Sequence, residues 1–326
     1  MAAARDNDDI FVYDGTQPVP DGVRRARIHK SVKIIRARAF YKREHLIYVE
    51  FHDGVEIIEE EAFYNCPSFR GRIKLLGVRI IKKYAFSHCH RMTDVEFGEK
   101  LETVGASAFI YCYSLKKIKM PSVRTIGLRA FAYSKLSDVE FGEGLMTLHE
   151  GTFSCCSKLE RIALPLKDNM IEDRVFFDCP KLTTVDVVGG IHQTISSLHT
   201  ERWRNDLKDE INSINQVLPT IRGVNAYSDE SEAKSRIIQW WMESATRKLN
   251  SYKAGHKFIL KEATTLLELA LWKANRDDNG EDRLEREGVR TLGEVESAMA
   301  DMRVTSGADV VIKNVLPFLV LGESTA

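Results

Sequence analysis

Six cysteines and nine histidines in 326 residues raise metal binding first, because thiolate and imidazole are the ligands that zinc and its neighbours prefer. The spacing argues against it. No Cys-x-x-Cys pair occurs, Cys155 and Cys156 are adjacent, and Cys66, Cys89, Cys112 and Cys179 each stand at least 23 residues from any other cysteine. His88-Cys89-His90 puts three ligand atoms in a row, yet adjacent side chains on a turn point in different directions, so two surface histidines around a packed cysteine is the simpler reading. Glu59-Glu60-Glu61 offers carboxylates for acid–base work, but nothing around it suggests a cleft to tune them, and it reads as a solvated turn. Trp240-Trp241 among Lys234, Arg236, Arg247, Lys248, Lys253 and Lys257 has the look of a calmodulin-target helix, against the plainer role of an aromatic anchor between helices. No phosphate-cradling glycine loop, Gly-x-Ser-x-Gly or His-Glu-x-x-His is present. The chemistry-bearing residues therefore predict neither an enzyme nor a cofactor or metal site.

What the cysteines do share is a period. Phenylalanine recurs at Phe40, Phe63, Phe86, Phe109, Phe131, Phe153 and Phe176, 22 or 23 residues apart. Ala39, Ala62, Ala85, Ala108 and Ala130 precede five of them, and Thr152 and Val175 the other two. Three residues after the ring comes Cys66, Cys89, Cys112, Cys156 or Cys179, with Arg43 and Ser134 in the remaining turns. Leu46, Phe69, Met92, Leu115, Leu136, Leu159 and Leu182 then open a Val-x-Phe-like stretch such as Val95-Glu96-Phe97. Alternation with period two predicts a short strand. A unit this short cannot bury its apolar side alone, so stacked copies must turn each column into a ladder inside one continuous core. Ala26 and Ile28 imply one more strand upstream. Ile10 to Tyr13, followed by Asp14-Gly15, predicts a strand and turn covering the open edge.

The pattern Val-x-x-Ile-x-x-x-Ala-Phe-x-x-Cys-x-x-Leu-x-x-Val-x-Phe resembles the BspA-type (Treponema pallidum type) leucine-rich repeat. The resemblance implies an α/β fold class: a leucine-rich-repeat solenoid of about eight turns with a parallel strand ladder over residues 22–190. A capping or disordered start occupies 1–21 and an all-α, coiled-coil-like tail 191–326. One repeat carries an extra residue between Phe69 and Ile73, and another lacks one before Leu136; both changes are expected in turns. The resemblance also implies a protein-binding scaffold read on its strand face. The exposed columns there are Arg25/Arg27, Tyr48/Glu50, Arg72/Lys74, Asp94/Glu96, Lys117/Lys119, Asp138/Glu140, Arg161/Ala163 and Thr184/Asp186. Their sign alternates rung by rung. Strands about 4.8 Å apart set each basic pair beside acidic ones, so the alternation either stabilises the stack at roughly 0.2–1 kcal/mol per pair or reads a mixed-charge partner. It offers no run of basic rungs for nucleic acid.

Beyond Gly189-Gly190, Trp203, Leu207, Ile211, Ile214 and Leu218 predict an amphipathic helix from about Ser197. Ser228 opens a second one, whose apolar seam runs from Ile238 through Trp241, Ala245, Leu249, Tyr252 and His256 to Ala270. It would be about 70 Å long with Gly255 as its soft point, antiparallel to the first and able to self-associate. Asp277 to Arg303 is charged, and Asp309 to Leu321 predicts a last helix. Parts of this tail resemble one found with such repeats in a large diatom family. With 47 basic and 47 acidic side chains the net charge is zero, although residues 20–190 hold about +6. The N-terminus lacks an apolar signal core and no window reads as a membrane span. The expectation is a cytoplasmic protein with reduced thiols, a protein partner, and no nucleic-acid or membrane partner.

Overall fold

The computed structural model describes residues 10–221 and 232–278. Among them are fifteen short strands: β1 (Phe11–Tyr13), β2 (Arg25–Ile28), β3 (Ile34–Ile35), β4 (Tyr48–Glu50), β5 (Ile57–Ile58), β6 (Gly71–Leu75), β7 (Ile80–Ile81), β8 (Met92–Phe97), β9 (Thr103–Val104), β10 (Lys117–Met120), β11 (Thr125–Ile126), β12 (Asp138–Phe141), β13 (Thr147–Leu148), β14 (Arg161–Pro165) and β15 (Thr184–Val188). All pairing is parallel. The longer strands stack in three blocks, β1-β2-β4, β6-β8 and β10-β12-β14-β15, and the two-residue strands β3 to β13 form a second ladder. The solenoid is therefore a parallel β-solenoid of the leucine-rich-repeat type. It closes about seven turns where the sequence suggests about eight, because β15 begins a further rung and the chain then leaves the ladder as helix α1 (Ile191–Ser196).

The Val-x-Phe reading explains the first ladder. In β4, β10 and β12 burial alternates along the strand, with Val49, Ile118 and Val139 inward. The residue inserted before Ile73 lies inside strand β6, not in a turn: the register with β8 slips between Gly71 and Arg72. The extra residue is absorbed as an irregularity where the ladder is already interrupted.

The phenylalanine column is a continuous stack. Neighbouring rings from Phe40 to Phe176 lie 4.8–6.0 Å apart and within 12° of parallel. Burying each ring contributes about 1.5–3 kcal/mol. Left-handed residues flank each ring two positions away on either side, for example Tyr84 and His88 around Phe86. Such backbone costs about 1–2 kcal/mol for a side chain with a Cβ. It is offset by hydrogen bonds into the following repeat: Tyr84 N donates to Ala106 O, Phe86 N to Ala108 O and His88 N to Ile110 O. The cysteines knit the repeats in the opposite direction, each thiol donating to the preceding repeat's phenylalanine carbonyl, as Cys89 Sγ does to Phe63 O at 3.2 Å. In the first repeat no such carbonyl precedes, and Arg43 occupies the column instead. It donates to Val19 O and pairs with Asp21, fastening the N-terminal segment, whose Tyr13 covers Phe40 at 5.2 Å.

The last repeat ends on side chains supplied by helices. Helix α2 (Glu201–Val217) begins at Glu201 rather than Ser197, with the Thr200 hydroxyl accepting from Trp203 N. Helix α3 (Ala233–Asp278) runs for 46 residues. Phe176 N, with no following repeat to receive it, donates to Ser235 Oγ at 2.9 Å. Asn215 both accepts from Val185 N and donates to Val185 O, and Gln239 Nε2 donates to Ile171 O. Lys234 is buried and its ammonium donates to the carbonyls of Cys179, Pro180 and Leu182. Polar side chains thus stand in for a missing strand and satisfy an edge that would otherwise be bare. Among the described residues the first compact unit takes in 10–196, 204–221 and 232–248.

Within that unit the helices are antiparallel, as Glu210 and Asp206 of α2 meet Trp241, Ser244 and Lys248 in reverse order. Among the described residues the second unit holds 197–203 and 249–278. There Trp203 stacks on Tyr252 at 5.2 Å. Gly255 is not a break in α3: a Cβ would come within 2.9 Å of the Trp203 ring, so glycine lets the indole lie against the helix. The Ser228 helix start, the charged stretch after Asp278 and the helix expected at Asp309 to Leu321 lie outside the described residues.

Candidate functional site

Every strand-face residue singled out from the sequence lies on the longer-strand ladder, in register. Arg25 and Arg27 of β2 stand opposite Tyr48 and Glu50 of β4. Lys117 and Lys119 of β10 face Asp138 and Glu140 of β12, which in turn face Arg161 and Ala163 of β14; Arg161 faces Thr184, and Ala163 faces Asp186, on β15. Arg72 and Lys74 of β6 face Asp94 and Glu96 of β8.

The alternating signs resolve into ion pairs between neighbouring rungs. Arg27 meets Glu50 at 2.7 Å, Arg72 bridges Asp94 and Glu96, and Lys119 meets Glu140 at 2.6 Å. Arg161 lies at the centre of a relay, 2.9 Å from Asp138 and 2.6 Å from Asp186, with Lys117 at the far side of Asp138. All are half-exposed, so each pair contributes only about 0.2–1 kcal/mol. The charges of this face therefore serve one another first. Tyr48 and Lys74 stand out from that network as exposed side chains with no ion pair among the described residues.

The other chemistry-bearing residues are absorbed by the ladder. Glu59 pairs with Lys82 and Glu61 with Arg38; the Lys82 ammonium holds the Glu59 carboxyl below its ordinary range. Burial pushes the column thiols up, those of Cys66 and Cys156 to about 12, which makes them poor nucleophiles and ligands. Among the described residues no three His, Cys, Asp or Glu side chains form a metal-binding group. Trp241 is the interhelical anchor, its Nε1 donating to Glu210 O at 2.9 Å, while Trp240 is exposed.

One surface went unread in the sequence. At the turn following each buried phenylalanine, Tyr64, His88, Tyr111 and Tyr133 form a file of rings, with His88 4.6 Å from Tyr111 and Tyr111 4.9 Å from Tyr133. His90 and Tyr113 make a second, shorter file beside it, 5.0 Å apart. Partial burial lowers the affinity of both histidines for protons. The sequence carries its signal, an aromatic residue recurring one or two places after the phenylalanine, but the Ala-Phe and cysteine columns are more regular.

A cross-stacked parallel ladder with a cysteine column defines the class as a leucine-rich-repeat solenoid. The family described as "BspA type Leucine rich repeat region (6 copies)" matches residues 22–122 and 79–200, more than half of the chain, and the protein belongs to it. Among solved structures the chain is similar to the leucine-rich-repeat protein of T. pallidum, with 30% identity over 40% of this chain and 63% of that one, at a TM-score of 0.39. A leucine-rich-repeat protein from Bacteroides ovatus is 25% identical over 50% of this chain and 42% of that one, at a TM-score of 0.40. The chain thus covers less than two thirds of either. The chain is also similar to the pneumococcal vaccine antigen PcpA, with 21% identity over 54% of each chain, at a TM-score of 0.39. No curated protein is significantly similar. Among the described residues no helix is long and apolar enough to cross a membrane.

Proposed function

We propose that this protein is an interaction module: its repeat array offers a preformed surface to a protein partner, inside the cell, and carries out no reaction itself. The observation that supports this most is the closure of the backbone ladder, by Tyr13 over Phe40 at one end and by Ser235, Asn215 and Lys234 at the other. A surface whose columns are held this way loses little conformational freedom when a partner docks, which is the chief route to affinity without chemistry. Leucine-rich-repeat proteins generally work as interaction modules. Six unpaired thiols fit a reducing compartment. The strand face from Arg25 to Asp186 is the first candidate surface, with Tyr48 and Lys74 free of its ion-pair network.

A photo-crosslinking residue placed at Tyr48 or Lys74 in the full chain, in cells, tests this. A discrete partner adduct is expected, and it should vanish when Lys117 and Lys119 are both reversed to glutamate. An unchanged adduct removes the strand face from consideration, and the absence of any discrete adduct removes the module reading.

A second reading, self-assembly through α3, is favoured by one observation. Beyond its buried residues Ile238, Trp241 and Ala245, helix α3 exposes the apolar side chains Phe258, Leu266 and Leu269. Light scattering of the full chain decides it: a mass of 37.1 kDa excludes assembly, and twice that mass, lost in Leu266→Glu, establishes it.

A further inference from the structure

We infer that the turn edge carrying the tyrosine and histidine files is a second docking surface, and that it takes an extended acidic peptide segment of a partner protein. The inference rests on the interaction-module reading and assigns it a different face.

From the turn after Phe63 to the turn after Phe153, the residues between each buried phenylalanine and the next ladder residue include no aspartate or glutamate, while Arg91, Lys135 and Lys158 all fall there. These three are exposed and form no ion pair among the described residues. The strand face shows the contrary pattern, with nearly every cation engaged by a carboxylate on the next rung. This edge thus combines exposed cations with an absence of neighbouring carboxylates in its turns, and an anionic partner gains there without displacing an internal pair.

Single-stranded nucleic acid is held by bases stacking on open aromatic faces. Here the faces are turned to one another: Tyr111 and Tyr133 are 4.9 Å apart and 29° from parallel, His90 and Tyr113 5.0 Å apart and 30° from parallel. Tyr111, with His88 on one side and Tyr133 on the other, presents mainly its ring edge, which carries the positive end of the aromatic quadrupole, and the files add phenol and imidazole groups able to donate. Carboxylates suit that array and base faces do not. Five turns at about 4.8 Å span about 19 Å, the length of an extended stretch of about six residues.

The test is fluorescence anisotropy of the full chain with a short labelled polyglutamate peptide, beside a labelled oligothymidylate of matched charge. The peptide should bind at low salt, weaken as salt rises, and bind more tightly than the oligonucleotide. Arg91→Glu/Lys135→Glu/Lys158→Glu should weaken it by at least about tenfold. Lys30→Glu/Lys100→Glu/Lys208→Glu, which changes net charge equally at exposed positions elsewhere, should stay within about twofold of the parent. The neutral set Arg91→Gln/Lys135→Gln/Lys158→Gln gives an intermediate loss and keeps the comparison valid should the reversed set fold poorly. Equal weakening by the two reversed sets, no weakening by the turn set, or tighter binding of oligothymidylate overturns the proposal. Loss of it leaves the strand-face crosslinking result untouched, so the two readings fail separately.

Discussion

Replacing Lys234 with methionine removes the group on which the end of the ladder converges. The side chain is 4% exposed, and its three protons go to three carbonyls at 3.1, 2.8 and 2.7 Å. Hydrogen bonds from a charged donor are worth about 1.5–3 kcal/mol each, against a desolvation cost of several kcal/mol for the ammonium. Methionine fills the volume but leaves the carbonyls of Cys179, Pro180 and Leu182 without this donor, so the net loss should be about 3 kcal/mol. For a unit of this size that lowers the melting temperature by about 6–12 °C. Ser235→Ala, which leaves the Phe176 amide unmatched, should cost about 1–3 kcal/mol. Differential scanning calorimetry gives the shift, and hydrogen exchange should place the loss in the last repeat, with the Phe176 amide losing protection first. A methionine variant that melts within about a degree of the parent, with unchanged exchange at Phe176, would show that the ammonium's burial cancels its bonds and that the closing argument is wrong.

Burial also lowers the Lys234 pKa from its ordinary 10.5. Between the lowered folded value and 10.5 the unfolded chain binds more protons, so the parent should gain stability relative to Lys234→Met as pH rises through that window; alkaline denaturation curves of the two check the sign. Native protein treated with a thiol reagent at neutral pH should be modified only at the half-buried Cys155, and slowly, because burial raises all six thiols and the other five are fully enclosed. Peptide mapping reads this, and labelling of Cys89 before unfolding would contradict the packed column. Gly142→Ala should cost about 3 kcal/mol or more, since a Cβ there would lie 1.8 Å from the Pro121 carbonyl oxygen, whereas Arg161→Ala, which breaks two half-exposed ion pairs, should cost no more than about 2 kcal/mol and less in high salt. Chemical denaturation of both variants checks the order.

The repeat itself was legible because its cause is local and periodic. Phe86, Cys89 and Val95 recur at fixed offsets, and a short unit with those apolar columns has no way to bury them except by stacking. The strand-face register followed from the same alternation. Three things were not legible, each because it depends on who becomes a neighbour. The residue inserted before Ile73 could have entered a turn or a strand, and only the pairing with β8 places it at Gly71. Gly255 looked like a weakness in a long helix until Trp203 was seen lying across it. Lys234 read as one cation among several near Trp240, because nothing in a linear chain distinguishes a lysine in solvent from one that finds three carbonyls.

The chemistry-bearing residues with which the sequence opens divide the same way. From spacing alone the cysteines were a packing column, since that conclusion depends only on interval. That the thiols donate to the preceding repeat's carbonyls, that the strand-face charges pair with one another, and that His88, His90 and the tyrosines gather on an edge left with unmatched cations was decided by the tertiary structure. Hydrogen bonds, ion pairs and desolvation act over a few ångströms between residues 22 or more positions apart, and folding is what brings those residues within that range.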